Sequence, residues 1–184
     1  MAEECKSIRE GVALLDITGF SRFEVKGENA EAWLDKIFAT KLPKPGRARL
    51  AVMLSPTGKL KGDLTLLNWG DGTFWIMGSY YLRAWHMRWF NDQIQDGVSV
   101  RDLGDDICGF ALIGPNSHFI LQKVAEGDVS KMRFMDCKRL DIGLIQSHVA
   151  RMSVTGEMGF ELNCKMGDHI ALRRILLDAG ADQD

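Results

Sequence analysis

Two carboxylates in this chain occupy positions that call for a chemical reason. Asp63 interrupts "SPTGKLKGDLTLLNW" (Ser55 to Trp69), whose second half otherwise reads as a strand, and aspartate is disfavoured in strands. Alternation places Leu60, Gly62, Leu64 and Leu66 on one face, and Lys61, Asp63, Thr65, Leu67 and Trp69 on the other. On that second face Asp63 reads either as a solvated acid beside Lys61 or as the mouth of a pocket, because Leu67 and Trp69 imply that the far end is covered. Glu157 lies in "RMSVTGEMGFEL", bracketed by Gly156 and Gly159 in a turn between two strands, with Glu161 in the second strand. It reads either as a solvated residue on a four-residue hairpin or as a carboxylate aimed at a ligand. A carboxylate suits a ligand edge with two adjacent N–H donors, since both oxygens accept in parallel.

Other chemistries lack their signatures. There is no GxSxG nucleophile motif, no P-loop and no GxGxxG, so FAD is not assigned to this chain. "GENAEAW" and "GDGTFW" are too poor in glycine to cradle phosphates. Cys5, Cys108, Cys137 and Cys164 form no CxxC pair, and His86, His118, His148 and His169 are scattered, so no metal site is expected. The cysteines read as reduced thiols in a reducing compartment, cytoplasmic or, in a eukaryote, the mitochondrial matrix. A net charge of -2 favours neither nucleic acid nor an anionic membrane as a partner. The polar start "MAEECKSIRE" lacks the apolar core of a signal peptide, and no apolar run approaches a membrane span.

Short strands mixed with amphipathic helices must position the two acids. "SRFEVKG" alternates as a strand, and "ENAEAWLDKIFA" places Ala30, Trp33, Leu34, Ile37 and Phe38 at core-facing helical spacing. "RARLAVML" enters a type I turn at Ser55-Pro56-Thr57-Gly58, which makes the Asp63 strand its antiparallel partner. "GDG" turns into the strand "TFWIMG". Tyr80 to Ile94 reads as a helix whose stripe, Leu82, Trp85, Trp89 and Phe90, is core. "GVSVRDL" and "ICGFALIG" are strands, and "PNSHFILQKVA" is a helix with Pro115 in its first turn. "RFMDCKRLDIGLIQSHVARMSV" is two strands turning near Asp141 to Gly143, followed by the strand "GFELNC" and the helix "GDHIALRRILLDAG". No internal repeat is apparent. The pattern is α+β with antiparallel sheets and dispersed amphipathic helices, in two modules, residues 1–96 and 97–184.

The ordered stretches "GVALLDITGFSRFEVKGENAEAWLDKIFA", "MLSPTGKLKGDLTLL", "FALIGPNS" and "SVTGEMGFEL" resemble the aminomethyltransferase family, the T-protein of the glycine cleavage system and its relatives. The likeness covers Gly11 to Gly180. "GRARLAVMLSPTGKLKGDL" and the tryptophan of "HMRWF" look most like the folate region of dimethylglycine and sarcosine dehydrogenases, where it follows an FAD-dependent amine oxidase domain. The resemblance implies a tetrahydrofolate-binding fold that captures a one-carbon unit, as formaldehyde or an iminium, to give 5,10-methylenetetrahydrofolate. It implies that Asp63 is the catalytic aspartate beside the folate nitrogens, assisting proton loss and holding charge. It implies that the motif Thr155-Gly156-Glu157 is cofactor-binding, with Glu157 accepting two hydrogen bonds from the pterin. The implied partners are a folate, a one-carbon donor, and an upstream FAD amine oxidase domain or subunit.

The chain also departs from the family pattern. The T-protein has two consecutive acids where this chain has Gly62-Asp63, and tyrosine where it has Val154. The likeness stops before the family's later arginine and C-terminal barrel, so the folate-binding domain is expected to be incomplete, whether a truncated piece or a naturally small subunit. Two other readings stand beside the lead. One is a non-catalytic folate-binding accessory module of the iron–sulfur assembly type, which would carry a reactive cysteine motif. The other is the small subunit of a heterotetrameric sarcosine oxidase or a related demethylase.

Overall fold

The structure, a computed structural model, describes residues 2–181. It is α+β, with two five-stranded antiparallel sheets. The chain divides into two compact units, Gly19–Asp105 and the described part of Met1–Thr18 with Asp106–Asp184. The N-terminal segment therefore belongs with the later residues, whereas the sequence reading grouped it in a module of residues 1–96.

The unit Gly19–Asp105 runs β2 (Ser21–Lys26), α2 (Ala30–Ile37), β3 (Arg47–Leu54), β4 (Leu60–Asn68), β5 (Phe74–Gly78), α3 (Arg83–Gln93) and β6 (Ser99–Asp102). Its sheet order is β3-β4-β5-β2-β6. The apolar stripe of α2 is buried as its spacing requires. Ala30, Trp33, Leu34 and Ile37 join Phe23, Leu64, Leu66, Ile76 and Phe90 in one core, each large apolar side chain contributing roughly 1.5–3 kcal/mol by its burial. The indole of Trp33 donates to the Gln93 carbonyl at 2.7 Å, tying α2 to the end of α3.

The second unit carries α1 (Ala2–Glu10) and β1 (Ala13–Asp16), then β7 (Ile107–Ile113), α4 (Ser117–Val124), β8 (Cys137–Ile142), β9 (Ile145–Ala150), β10 (Gly159–Lys165) and α5 (His169–Gly180). Its sheet order is β1-β7-β10-β9-β8. Helix α4 is preceded by Asn116 at its N-cap, so Pro115 lies in the turn before the helix and not inside its first turn.

Read from β8, that order is the order of the first sheet, with β8, β9, β10, β7 and β1 in the places of β3, β4, β5, β2 and β6. The units repeat one topology, although the fifth strand of the second comes from the start of the chain. A shared glycine device marks the repeat. Gly27 after β2 has φ 126° and Gly114 after β7 has φ 129°. A Cβ on Gly27 would stand 2.0 Å from the Gly97 oxygen, and one on Gly114 would stand 2.4 Å from the Gly11 oxygen. The two carbonyls accept from Asn29 N and Asn116 N at 3.2 and 3.1 Å. Only glycine combines that backbone angle with that approach. Among the described residues no helix is long and apolar enough to cross a membrane.

Candidate functional site

The β3–β4 hairpin sets Asp63. Gly58 N donates to the Ser55 carbonyl and Ser55 N to the Lys59 carbonyl, both at 2.8 Å, closing the expected turn. The Ser55 hydroxyl also accepts from Lys59 N at 3.0 Å. The ladder then shifts register between Met53 and Leu54, and Asp63 pairs with Val52. The face around Asp63 grades from open to closed. Leu50 and Val52 on β3 are 60% and 38% exposed, whereas Leu67 and Trp75 are fully or almost fully buried. The indole of Trp69 packs edge-on against that of Trp75, centroids 5.2 Å apart. Asp63 is thus an exposed acid on a surface that is apolar at its flank and covered at its far end. Among the described residues its carboxylate has no hydrogen-bond or ion-pair partner.

Helix α3 shapes the other side of β4. Pairing of β4 with β5 starts at Thr65, which leaves the earlier part of that edge open. There the Lys61 carbonyl lies 3.3 Å from His86 Nε2. A carbonyl only accepts, so Nε2 carries the proton and Nδ1 is the acceptor. His86 is 1% exposed, and its Nδ1 is buried without a partner among the described residues. Burial pushes the imidazole below its ordinary value of 6.5, against the opposing effect of the Lys61 carbonyl, and favours the neutral ring. A Cβ at residue 62 would stand 2.9 Å from His86 Nε2, so the glycine before Asp63 makes room for the histidine.

The α3 stripe differs from the expected one. The buried pair is His86 and Phe90, with Trp85 and Trp89 half-buried and Leu82 exposed. The reason is Lys61, whose Nζ lies 4.7 Å from the Trp85 ring centroid and 4.8 Å from that of Trp89. A cation over an indole contributes about 0.5–1 kcal/mol at an exposed site, and an exposed lysine–carboxylate pair roughly 0–1 kcal/mol. Two indoles therefore outcompete Asp63 for the ammonium. A cleft of about 390 Å³ in the same unit is lined by Phe38, Ser55, Pro56, Trp89 and Gln93 and does not include Asp63.

Glu157 is carried by the second unit, in the connection 151–158 between β9 and β10. This connection is longer than a four-residue hairpin and is pinned by its own polar groups. The Ser153 hydroxyl donates to the Glu157 carbonyl at 2.8 Å, and Thr155 Oγ1 accepts from Glu157 N at 3.4 Å. Gly114 N donates to the Met158 carbonyl at 2.7 Å. Gly156 has φ 82°, which an L side chain adopts only under strain. The motif therefore divides its labour: Gly156 bends the chain and Thr155 braces the Glu157 amide. The half-buried Glu157 carboxylate has no partner among the described residues. Val154, beside it, is 62% exposed. Among the described residues no group of three or more His, Cys, Asp or Glu is placed to hold a metal ion.

Sequence reasoning took His86 and His169 as isolated. His169 Nε2 lies 2.9 Å from Asp16 Oδ2 and its ring stacks on Phe110 at 4.7 Å. Burial raises the Asp16 carboxyl, but hydrogen bonds from Thr18 and His169 outweigh that and hold it below 3.8. No sequence spacing links residues so far apart. For His86 there was a signal: a histidine between two tryptophans on a helix, and a glycine beside the acid.

Comparison with known proteins joins these features. The chain is 28% identical over 188 residues to human mitochondrial dimethylglycine dehydrogenase, which covers all of this chain and 22% of that protein. It is 29% identical over 184 residues to an aminomethyltransferase of Anoxybacillus flavithermus, covering 98% of this chain and 50% of that one. In fold it matches the glycine cleavage system aminomethyltransferase T of Bartonella henselae, with TM-score 0.85 and 22% identity over 95% of this chain and 48% of that one. It also matches a chain of heterotetrameric sarcosine oxidase from Corynebacterium sp. U-96, with TM-score 0.73 and 18% identity over 93% of this chain and 84% of the other. The chain spans half the length of the aminomethyltransferase and about a fifth of the dehydrogenase. The model of the GCVT N-terminal domain matches residues 1–184, and the chain belongs to that family.

Proposed function

We propose that this chain is a tetrahydrofolate-binding domain for one-carbon transfer, with Asp63 as its catalytic carboxylate and Glu157 as its pterin-binding carboxylate. The observation that carries the reading is the pair of carboxylates left without protein partners, one on an open apolar sheet face and one on a braced loop. A flat aromatic ligand with amine and amide N–H groups suits both. Leu50 and Val52 offer it apolar surface, and each carboxylate accepts N–H hydrogen bonds. Glu157 would accept from two adjacent donors, with Thr155 and Gly156 fixing the direction of approach. Asp63 would accept a proton from an amine nitrogen and stabilise positive charge developing nearby. Bound tetrahydrofolate would supply the nitrogens that take up the carbon, giving 5,10-methylenetetrahydrofolate.

The relatives' names support an amine-oxidising, FAD-carrying domain or subunit as the source of the one-carbon unit, in a cytoplasmic or mitochondrial setting. Calorimetric titration of tetrahydrofolate into the chain tests the reading. Binding is expected in the wild type and in Asp63→Asn, with methylene transfer lost in the full-length Asp63→Asn protein. Transfer retained in that variant removes Asp63 from the mechanism.

A further inference from the structure

We propose that Trp85 and Trp89 are positioning residues that hold the Lys61 ammonium on their rings and so keep Asp63 free to meet a ligand. The functional consequence rests on the role proposed for Asp63; the geometry does not. Lys61 and Asp63 project from the same face of β4, two residues and roughly 7 Å apart along the strand. A lysine stem spans that distance, so an open sheet face would let the two charges pair. Instead the ammonium lies 4.7 and 4.8 Å from the two indole centroids. The backbone is held from the same helix, through His86 Nε2 and the Lys61 carbonyl at 3.3 Å. Helix α3 thereby fixes both ends of Lys61. His86 is favoured in its neutral form, so it adds no charge beside Asp63.

An unpaired carboxylate is what the proposed site needs, since an ammonium already bound to Asp63 would compete with the ligand's amine groups. The half-buried state of two tryptophans that helical spacing assigns to the core has the same cause. They expose ring faces because a cation covers them.

Nuclear magnetic resonance at pH 7 tests the arrangement without any activity assay. In the wild-type chain, ring currents should move the Lys61 Hε resonances upfield of those of the other lysines. The double variant Trp85→Leu/Trp89→Leu should abolish that displacement and shift the Asp63 carboxyl ¹³C resonance, and added Lys61→Met should return it. Tetrahydrofolate affinity should fall several-fold in the double variant and recover with Lys61→Met, a rescue that general loss of packing would not give. If the double variant fails to fold, Lys61→Met alone decides: it should leave the Asp63 resonance and the affinity at wild-type values. Lys61 Hε resonances among those of the other lysines overturn the proposal. So does an Asp63 resonance that moves in Lys61→Met, or an affinity loss that Lys61→Met fails to rescue. If tetrahydrofolate binds to no form while the resonances behave as expected, the folate reading fails and the Lys61 arrangement holds.

Discussion

His86 donates from Nε2 to the Lys61 carbonyl at 3.3 Å, in space that exists because residue 62 has no side chain. The two residues stand 25 positions apart in the chain from β4 to α3, and together they fix the strand that carries Asp63. Where this chain replaces the first of two acids with glycine, a histidine ring has moved into the vacancy.

Gly62→Ala forces that ring or the strand to move. Overpacking of a fitted site costs about 1–3 kcal/mol. Urea denaturation should show a loss in that range, and His86→Ala in the same chain should recover part of it. Full additivity of the two losses would contradict the shared space.

The buried imidazole makes stability depend on pH in a known direction. Its value in the fold lies below 6.5, so the unfolded chain takes up a proton that the folded chain resists. Stability is then full above about pH 7 and falls as the pH drops from there toward the lower folded value. The urea midpoint should decline over that window, and His86→Gln should flatten the decline while keeping a donor for the Lys61 carbonyl. An unchanged slope in His86→Gln would assign the effect elsewhere.

The Asp16–His169 pair acts at lower pH. With its folded value held below 3.8, the Asp16 carboxylate contributes stability that is present above that pH and lost as the pH falls through the folded value. The difference in urea midpoint between wild type and Asp16→Asn should be larger at pH 6 than at pH 3. A constant difference would mean that the carboxylate's charge is not what Thr18 and His169 hold.

The repeated glycines predict a matched pair of severe variants. Alanine at Gly27 or Gly114 meets a carbonyl oxygen at 2.0 or 2.4 Å with φ near 130°. Each should cost more than the roughly 1 kcal/mol of an ordinary glycine-to-alanine mismatch and lower the thermal midpoint accordingly. Alanine at Gly167, whose Cβ would meet nothing within 4 Å, is the control and should be near neutral.

The sequence carried much of this fold because its elements follow simple periods. The alternation of "SRFEVKG" and the α2 stripe of Trp33, Leu34 and Ile37 correspond to elements with the predicted burial. The Asp63 hairpin was legible from the turn residues Ser55 to Gly58 and the alternation after them. The repeat was not, because only Phe23, Gly27 and Asn29 match Phe110, Gly114 and Asn116 in identity and spacing, and one strand is permuted to the N-terminus. The roles of Trp85 and Trp89 were not, because helical spacing identifies a shared face without saying whether it packs on apolar residues or on a cation. The pairing of Asp16 with His169 depends on tertiary structure alone.

The central claim is that Glu157 binds the pterin edge of tetrahydrofolate, and calorimetric titration of wild type, Glu157→Gln and Glu157→Ala tests it most directly. The claim predicts saturable binding to the wild type, binding weakened in Glu157→Gln, which keeps one acceptor oxygen but loses the charge, and no measurable binding in Glu157→Ala. Equal affinity in all three would contradict it.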